Sequence, residues 1–209
     1  TDTKAIWQPI HLQPQQRKFD FTVPAKPKRL IVNAGNDAAV ARKNIYAFSN
    51  LFDEFDNAGI VYGSSREIEA QHELAQRFQS VLADAFTENM LPLFQDAQVT
   101  GESASPRHLL ILGGPADNRL CEKLCRQMGI KVGLNYFYWR EKTYADPDDG
   151  LFLAMPHPQD QKRILFFFIS NSSLQLHQMT KRLQSLPSWA VFKSDKVVEK
   201  GFHCDSQYE

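Results

Sequence analysis

The sequence predicts an α/β protein, and three observations carry that reading. Short apolar runs alternate with longer stretches whose apolar residues recur at helical spacing. Runs such as Ile60-Val61-Tyr62 and His108 to Leu112 pass into the next stretch through a glycine turn. The most apolar run, Ile164 to Ile169, is continuous, the mark of a strand covered on both faces. Because a parallel crossover needs a helix-length connection, the pattern points to a mostly parallel sheet with helices on both faces. This is a three-layer arrangement of the Rossmann-like or flavodoxin-like kind, with a hairpin insertion.

Residues 1–28 are rich in Gln, Pro and Lys; Pro9, Pro14, Pro24 and Pro27 break any helix, while Phe19, Phe21 and Val23 alternate like a strand. The segment reads as an extended lead-in or the last strand of an upstream domain. The α/β domain is placed at 29–195. Leu30-Ile31-Val32 is its first strand. Asn36 or Asp37 then caps a helix with Ala41, Ile45, Phe48, Phe52 and Phe55 on its apolar face, stopped by Gly59. Ile60-Val61-Tyr62 is the next strand. It leads through Gly63-Ser64-Ser65-Arg66-Glu67, where Ser64 and Glu67 have capping-box spacing. The helix that follows carries Ile68, Ala75, Phe78, Val81 or Leu82, and Ala85 or Phe86 on one face.

Leu91 to Phe94 and His108 to Leu112 are further strands. Gly113-Gly114-Pro115 turns into a helix from about Asp117 or Asn118, with Leu120, Cys121, Leu124, Cys125 and Met128 apolar and Gly129 at the stop. Tyr136, Tyr138 and the alternation toward Thr143 form one arm of a hairpin. Asp146-Pro147-Asp148-Asp149-Gly150 is its turn and Leu151 to Met155 its returning arm. After the central strand, Asn171, Ser172 or Ser173 caps a helix bearing Leu176, Met179, Leu183 and Leu186. Trp189 to Phe192 is the final strand, and 196–209 is a polar tail.

The chain has 209 residues, with 24 Lys+Arg against 24 Asp+Glu, so no global field gathers nucleic acid or anionic lipid. That balance argues against a dedicated nucleic-acid binder. No apolar run approaches the roughly 18–20 residues of a membrane-spanning helix, so no transmembrane segment is expected. The chain opens Thr-Asp-Thr, without an initiator Met or a leader, and reads as a piece or a processed form of a longer protein. Cys121, Cys125 and Cys204 make an odd count; the first two, four apart on a helix, read as helix core.

Each motif that suggests chemistry falls short of the pattern its chemistry needs. His72-Glu73-Leu74-Ala75-Gln76 has Gln76 where HExxH places its second imidazole, which leaves too few ligands for zinc. Gly113-Gly114-Pro115 after a strand resembles a phosphate-binding turn, but the full GxGxxG is missing and Pro115 removes a donor. Around Ser65 the nucleophile-elbow pattern breaks at Glu67, and Asn171-Ser172-Ser173 lacks flanking glycines. His157, between Pro156 and Pro158, has no nucleophile paired with it in sequence. Asp146, Asp148 and Asp149 miss the calcium-loop spacing and read as a turn. The aromatic group Tyr136, Phe137, Tyr138, Trp139 and Tyr144 fits equally a partner-facing surface or alternate cover of the core.

Three stretches carry a resemblance: Phe19 to Val32 (FDFTVPAKPKRLIV), His108 to Leu120 (HLLILGGPADNRL) and Asp146 to Ser173 (DPDDGLFLAMPHPQDQKRILFFFISNSS). Together they resemble the C-terminal region of certain bacterial exported peptidases. In those proteins a zinc aminopeptidase of the HExxH class, or a serine hydrolase, precedes a Rossmann-like domain. The first stretch is similar to the last strand of the preceding peptidase sandwich. The resemblance implies an extracytoplasmic protein whose catalysis lies upstream of Thr1, since the HExxH helix and its downstream Glu have no counterpart here.

The leading expectation is therefore a non-catalytic accessory domain of a peptidase, without metal or cofactor. Its partners would be an upstream peptidase domain or another copy. Its working surface would be the loops at the carboxyl ends of the parallel strands, where Gly63, Ser64, Gly113, Gly114, Asn118, Asn171 and Ser172 gather. The alternative is a small-ligand or nucleotide-binding domain using the same loops. A hydrolase with its nucleophile at Ser65 or Ser172 comes third.

Overall fold

The computed structural model describes residues 6, 18, 20–26, 45–87, 89–99, 108–183 and 186–202. The chain divides into two units, Thr1–Arg42 and Lys43–Glu209. In the first, residues 20–26 form no strand, and Phe21 and Val23 are exposed. The strand at Leu30 to Val32 and the cap at Asn36 or Asp37 lie outside the described residues.

The second unit is built on a seven-stranded sheet: β1 (Ala58–Tyr62), β2 (Leu93–Gln95), β3 (His108–Leu112), β7 (Asp149–His157), β8 (Asp160–Ser170), β9 (Trp189–Lys193) and β10 (Lys196–Gly201). The spatial order is β10-β9-β7-β8-β3-β1-β2. β2, β1, β3 and β8 are joined by parallel ladders, whereas β7 and β10 run against their neighbours. Most strands thus point one way, as the sequence predicts. A separate antiparallel sheet holds β4 (Val132–Gly133), β5 (Tyr136–Trp139) and β6 (Lys142–Tyr144). Among the described residues the α-helices are α1 (Asn50–Asp53), α2 (Ile68–Leu82), α3 (Arg119–Gln127) and α4 (Ser173–Met179).

The central strands are apolar throughout because they are buried on both faces. In β8, Ile164, Phe166 and Phe168 enter one core cluster with Leu74, Phe78 and Leu82 of α2 and Leu176 and Met179 of α4. Leu165, Phe167 and Ile169 enter the other with Cys121, Leu124 and Cys125 of α3 and Phe137 and Tyr144 of the small sheet. The period of two along the strand thus feeds two cores. Phe48 anchors the first, with edge-to-face contacts to Phe52, Phe152, Phe166 and Phe168 at ring separations of 5.6–5.8 Å.

The structure corrects several sequence expectations. Residues 45–49 are not helical, and Gly59 lies inside β1 rather than ending a helix. The hairpin turns at Arg140-Glu141, both at positive φ, not at 146–150. Leu151 to Met155 belongs to β7 and pairs with β8 and β9, because its apolar side chains serve both cores. The first part of the polar tail, 196–201, is edge strand β10: one ladder partner and alternate exposure suit a polar sequence.

Candidate functional site

Strand β1 leads through α2 on one face of the sheet to β2, while β3 leads into α3 on the other face. The order therefore reverses between β1 and β3. In open α/β sheets this switch point, beyond the carboxyl ends of the strands, is where ligands bind. Gly63 and Ser64 follow β1, and Gly113, Gly114 and Asn118 follow β3, so the fold brings these five predicted residues to it.

The two loops are tied to each other. Ser65 N donates to Asp117 O at 3.1 Å, and a Cβ on Gly63 would stand 2.2 Å from that same carbonyl oxygen. Only glycine permits so close a backbone approach. Asn118, fully buried at 0% exposure, bridges the strands: its Nδ2 donates to Val61 O and Leu112 O, and its Oδ1 accepts from Cys121 N at 3.0 Å. This last bond caps α3, as the sequence predicts. Arg66 reaches Asp117 at 3.1 Å. Burial raises the Asp117 carboxyl above its ordinary range, and the Arg66 charge opposes that rise.

The principal residue that sequence reasoning missed is Asp96, 4% exposed, just after β2. Its Oδ1 accepts from Ser64 N at 3.1 Å, from Ala97 N at 2.8 Å and from the Ser64 hydroxyl. Its Oδ2 accepts from Arg119 N, the first residue of α3, at 2.6 Å. A helix N-terminus beside a glycine turn favours an anion, and here the chain supplies that anion itself. This is the physical objection to the phosphate reading of Gly113-Gly114-Pro115. It also corrects the capping box: Ser64 is spent on Asp96, and Glu67 stands at the start of α2 with φ 46° and makes no side-chain cap.

Asn171 and Ser172 lie at the same rim, at the end of β8, with Gly114 between the two groups: a Cβ there would stand 3.2 Å from Ser170 O. Asn171 Nδ2 donates to Tyr144 O and Asp146 O, and Ser172 Oγ donates to Pro147 O at 2.6 Å while accepting from Gln175 N as the cap of α4. Both residues fasten the 144–149 segment. Asp146, Asp148 and Asp149 converge in that segment on the Lys193 ammonium, which reaches the last two at 2.8 and 3.1 Å. The acidic turn thus carries its own cation. Lys193 holds the Asp148 carboxyl below its usual range, and the carboxylates raise Lys193 in turn.

The remaining candidates are dispersed. Ser65 Oγ accepts from Arg119 Nε at 3.2 Å, a cation that cannot serve as a base. His157 sits on the hairpin between β7 and β8, at the rim opposite the serines, and burial with the Arg163 charge lowers its pKa. His72 lies beside the Tyr62 ring, at 5.2 Å between centroids. Cys121 and Cys125 face each other across 3.8 Å within the core, and the shared contact with burial pushes the Cys121 thiol well up, which makes it inert. The aromatic group divides: Phe137 and Tyr144 stack in the core, Trp139 packs on Trp189, and Tyr136 faces outward. No helix is long and apolar enough to cross a membrane among the described residues.

No protein-family model matches the chain, and no curated protein is significantly similar to it.

Proposed function

We propose that this chain is a non-catalytic accessory domain that works by docking, with an upstream peptidase domain or a second copy as its partner. The observation that carries the reading is the self-occupancy of the switch point between β1 and β3. Asp96 fills the anion position at α3, Asn118 bridges the strands, and the Gly63 and Asp117 backbones are in contact. The rim hydroxyls that a hydrolase would use are engaged as well. Ser64 bonds a carboxylate, Ser65 an arginine and Ser172 a carbonyl, so none of them is hydrogen-bonded to a histidine. Triad chemistry needs that hydrogen bond.

The peptidase parentage and an extracytoplasmic location follow from the resemblance of the three stretches, and they belong to this proposal. So does the reading of the layers as Rossmann-like, with α2 and α4 over one face and α3 and the small sheet over the other.

The purified chain should resist labelling by a fluorophosphonate probe and show no saturable thermal shift with nucleotides, which stabilise a binder as RT ln(1 + [L]/Kd). Labelling abolished by Ser65→Ala or Ser172→Ala would reverse the assignment in favour of a hydrolase. A reproducible shift with one nucleotide class would reverse it in favour of nucleotide binding.

A further inference from the structure

Strand β10 ends the seven-stranded sheet: it pairs with β9, and its outer side carries no ladder among the described residues. Such an edge is a template for another strand unless its side chains turn that strand away. The stretch from Asp195 to Lys200 reads Asp-Lys-Val-Val-Glu-Lys. Laid antiparallel against a second copy of itself, with the twofold axis level with the Val197-Val198 bond, it is complementary throughout. Asp195 comes opposite the partner's Lys200, Lys196 opposite the partner's Glu199, and Val197 opposite the partner's Val198. Each pairing forms twice by symmetry, so every charge meets its opposite.

Opposed side chains interact when they share a face of the sheet. In a regular strand, residues three apart such as Lys196 and Glu199 face opposite sides. β10 is not regular: Val197 is opposite Phe192 and Glu199 opposite Val191, which leaves Val198 as an extra residue. Lys196 therefore lines up with Lys193 and Glu199 with Val191, two positions apart on β9 and so on one face. Val197 and Lys200 line up with Phe192 and Ala190 on the other. The bulge thus sets the matched charges on the same side, and both copies carry it at the same place, so the two strands stay in step. Glu199 is already fixed on its face. Its Oε1 accepts from Lys142 Nζ at 3.0 Å and from the Tyr144 hydroxyl at 3.2 Å, while Oε2 makes no bond among the described residues. Asp195, Lys196 and Lys200 enter no ion pair among the described residues, and Val198 is 53% exposed.

We propose that β10 is the surface through which this chain associates with itself: two copies join edge to edge along Asp195 to Lys200, and their sheets become one. The inference rests on the docking assignment and names a second copy as the partner. Lys196 and Lys200 repel a strand without matching acids, so the edge favours its own sequence over others.

The test is sedimentation velocity of the whole chain across a concentration series. A monomer–dimer equilibrium is expected, with a Kd on the order of 10–100 µM for an interface of one strand pair. Lys200→Glu and Asp195→Lys each set like charges opposite one another at two places, so each variant should dimerise at least about tenfold more weakly. An equal mixture of the two should recover the original affinity to within about threefold, because acid again faces base at both places. Lys196→Glu probes the central pair independently and should weaken the dimer by a similar factor. A chain that stays monomeric up to about 1 mM overturns the proposal. So does a dimer that Lys196→Glu and Lys200→Glu both leave intact, or a mixture that stays monomeric while each variant keeps the original circular dichroism. Any of these results strikes out β10 alone. The accessory role would stand, with an upstream domain as its partner and the fluorophosphonate and nucleotide results unaffected.

Discussion

Replacing Asp96 with alanine removes the acceptor that joins three separate elements. Ser64 through its N–H and hydroxyl, and Arg119 through its N–H, lose a carboxylate that is 4% exposed. Ala97 N is a fourth donor, but it sits on the neighbouring residue, so its bond joins no distant element. Hydrogen bonds to charged groups contribute about 1.5–3 kcal/mol each. At a part-buried rim, where water reaches the abandoned donors, about 1–1.5 kcal/mol is the better figure for each of the three long-range bonds. The expected loss is therefore about 4 kcal/mol, a large part of the stability of an ordinary domain. Asp96→Asn keeps the shape and one accepting oxygen but turns an NH2 toward Arg119 N, and should lose about 2 kcal/mol. Urea unfolding followed by fluorescence and circular dichroism gives both values, provided the two probes coincide. A loss under about 1 kcal/mol in Asp96→Ala would refute the claim that this carboxylate holds the rim together.

Three further outcomes follow from the same geometry. Gly63→Ala places a methyl 2.2 Å from Asp117 O, so the β1 and β3 loops must separate; a loss of about 2–3 kcal/mol is expected in urea unfolding, and a neutral result would contradict the close approach. Phe48→Ala removes the ring at the centre of four edge-to-face contacts, with an expected loss of about 3–5 kcal/mol by the same assay; a loss near 1 kcal/mol would mean the 45–57 segment is not part of the core. Lys193→Met releases the acidic turn. Asp148 ionises below its usual value of 3.8, so its contribution is present above that pH and fades as pH falls through the depressed value. The Tm gap between wild type and Lys193→Met should therefore be open at neutral pH and narrow as the pH falls below 3.8. A gap independent of pH would remove the ion cluster from the explanation.

The parts of the fold legible in the sequence are those where local pattern and tertiary burial agree. The run Ile164 to Ile169 is apolar because it serves two cores, and Asn118 and Ser172 cap helices because their side chains bond N–H groups three residues on. The expectations fail where a distant residue outcompetes a local partner. Ser64 has capping-box spacing to Glu67, yet it bonds Asp96, thirty-two positions away in the chain, for which no short-range signal exists. The small-sheet hairpin turns at Arg140-Glu141, a pair without Gly or Asn. Meanwhile the 146–149 segment does turn, with Asp149 N donating to Asp146 O at 3.0 Å, but it leads into β7 of the large sheet instead of closing the hairpin, and Asn171, Ser172 and Lys193 hold it. Edge strand β10 escaped notice because an edge can be polar. The predicted rim residues do gather at the strand ends, but as ties between loops.

Native-state hydrogen exchange at the switch point tests the self-occupied rim most directly. The amides of Ser64, Ser65, Asn118 and Arg119 donate to Asp96 Oδ1, Asp117 O, Gly114 O and Asp96 Oδ2, respectively. They should exchange as slowly as the amides of β1 and β3 beside them, and all four should speed up together in Asp96→Ala. Rapid exchange of these four amides in the unaltered chain, against slow strand amides, would mean the crevice stands open and would contradict the account.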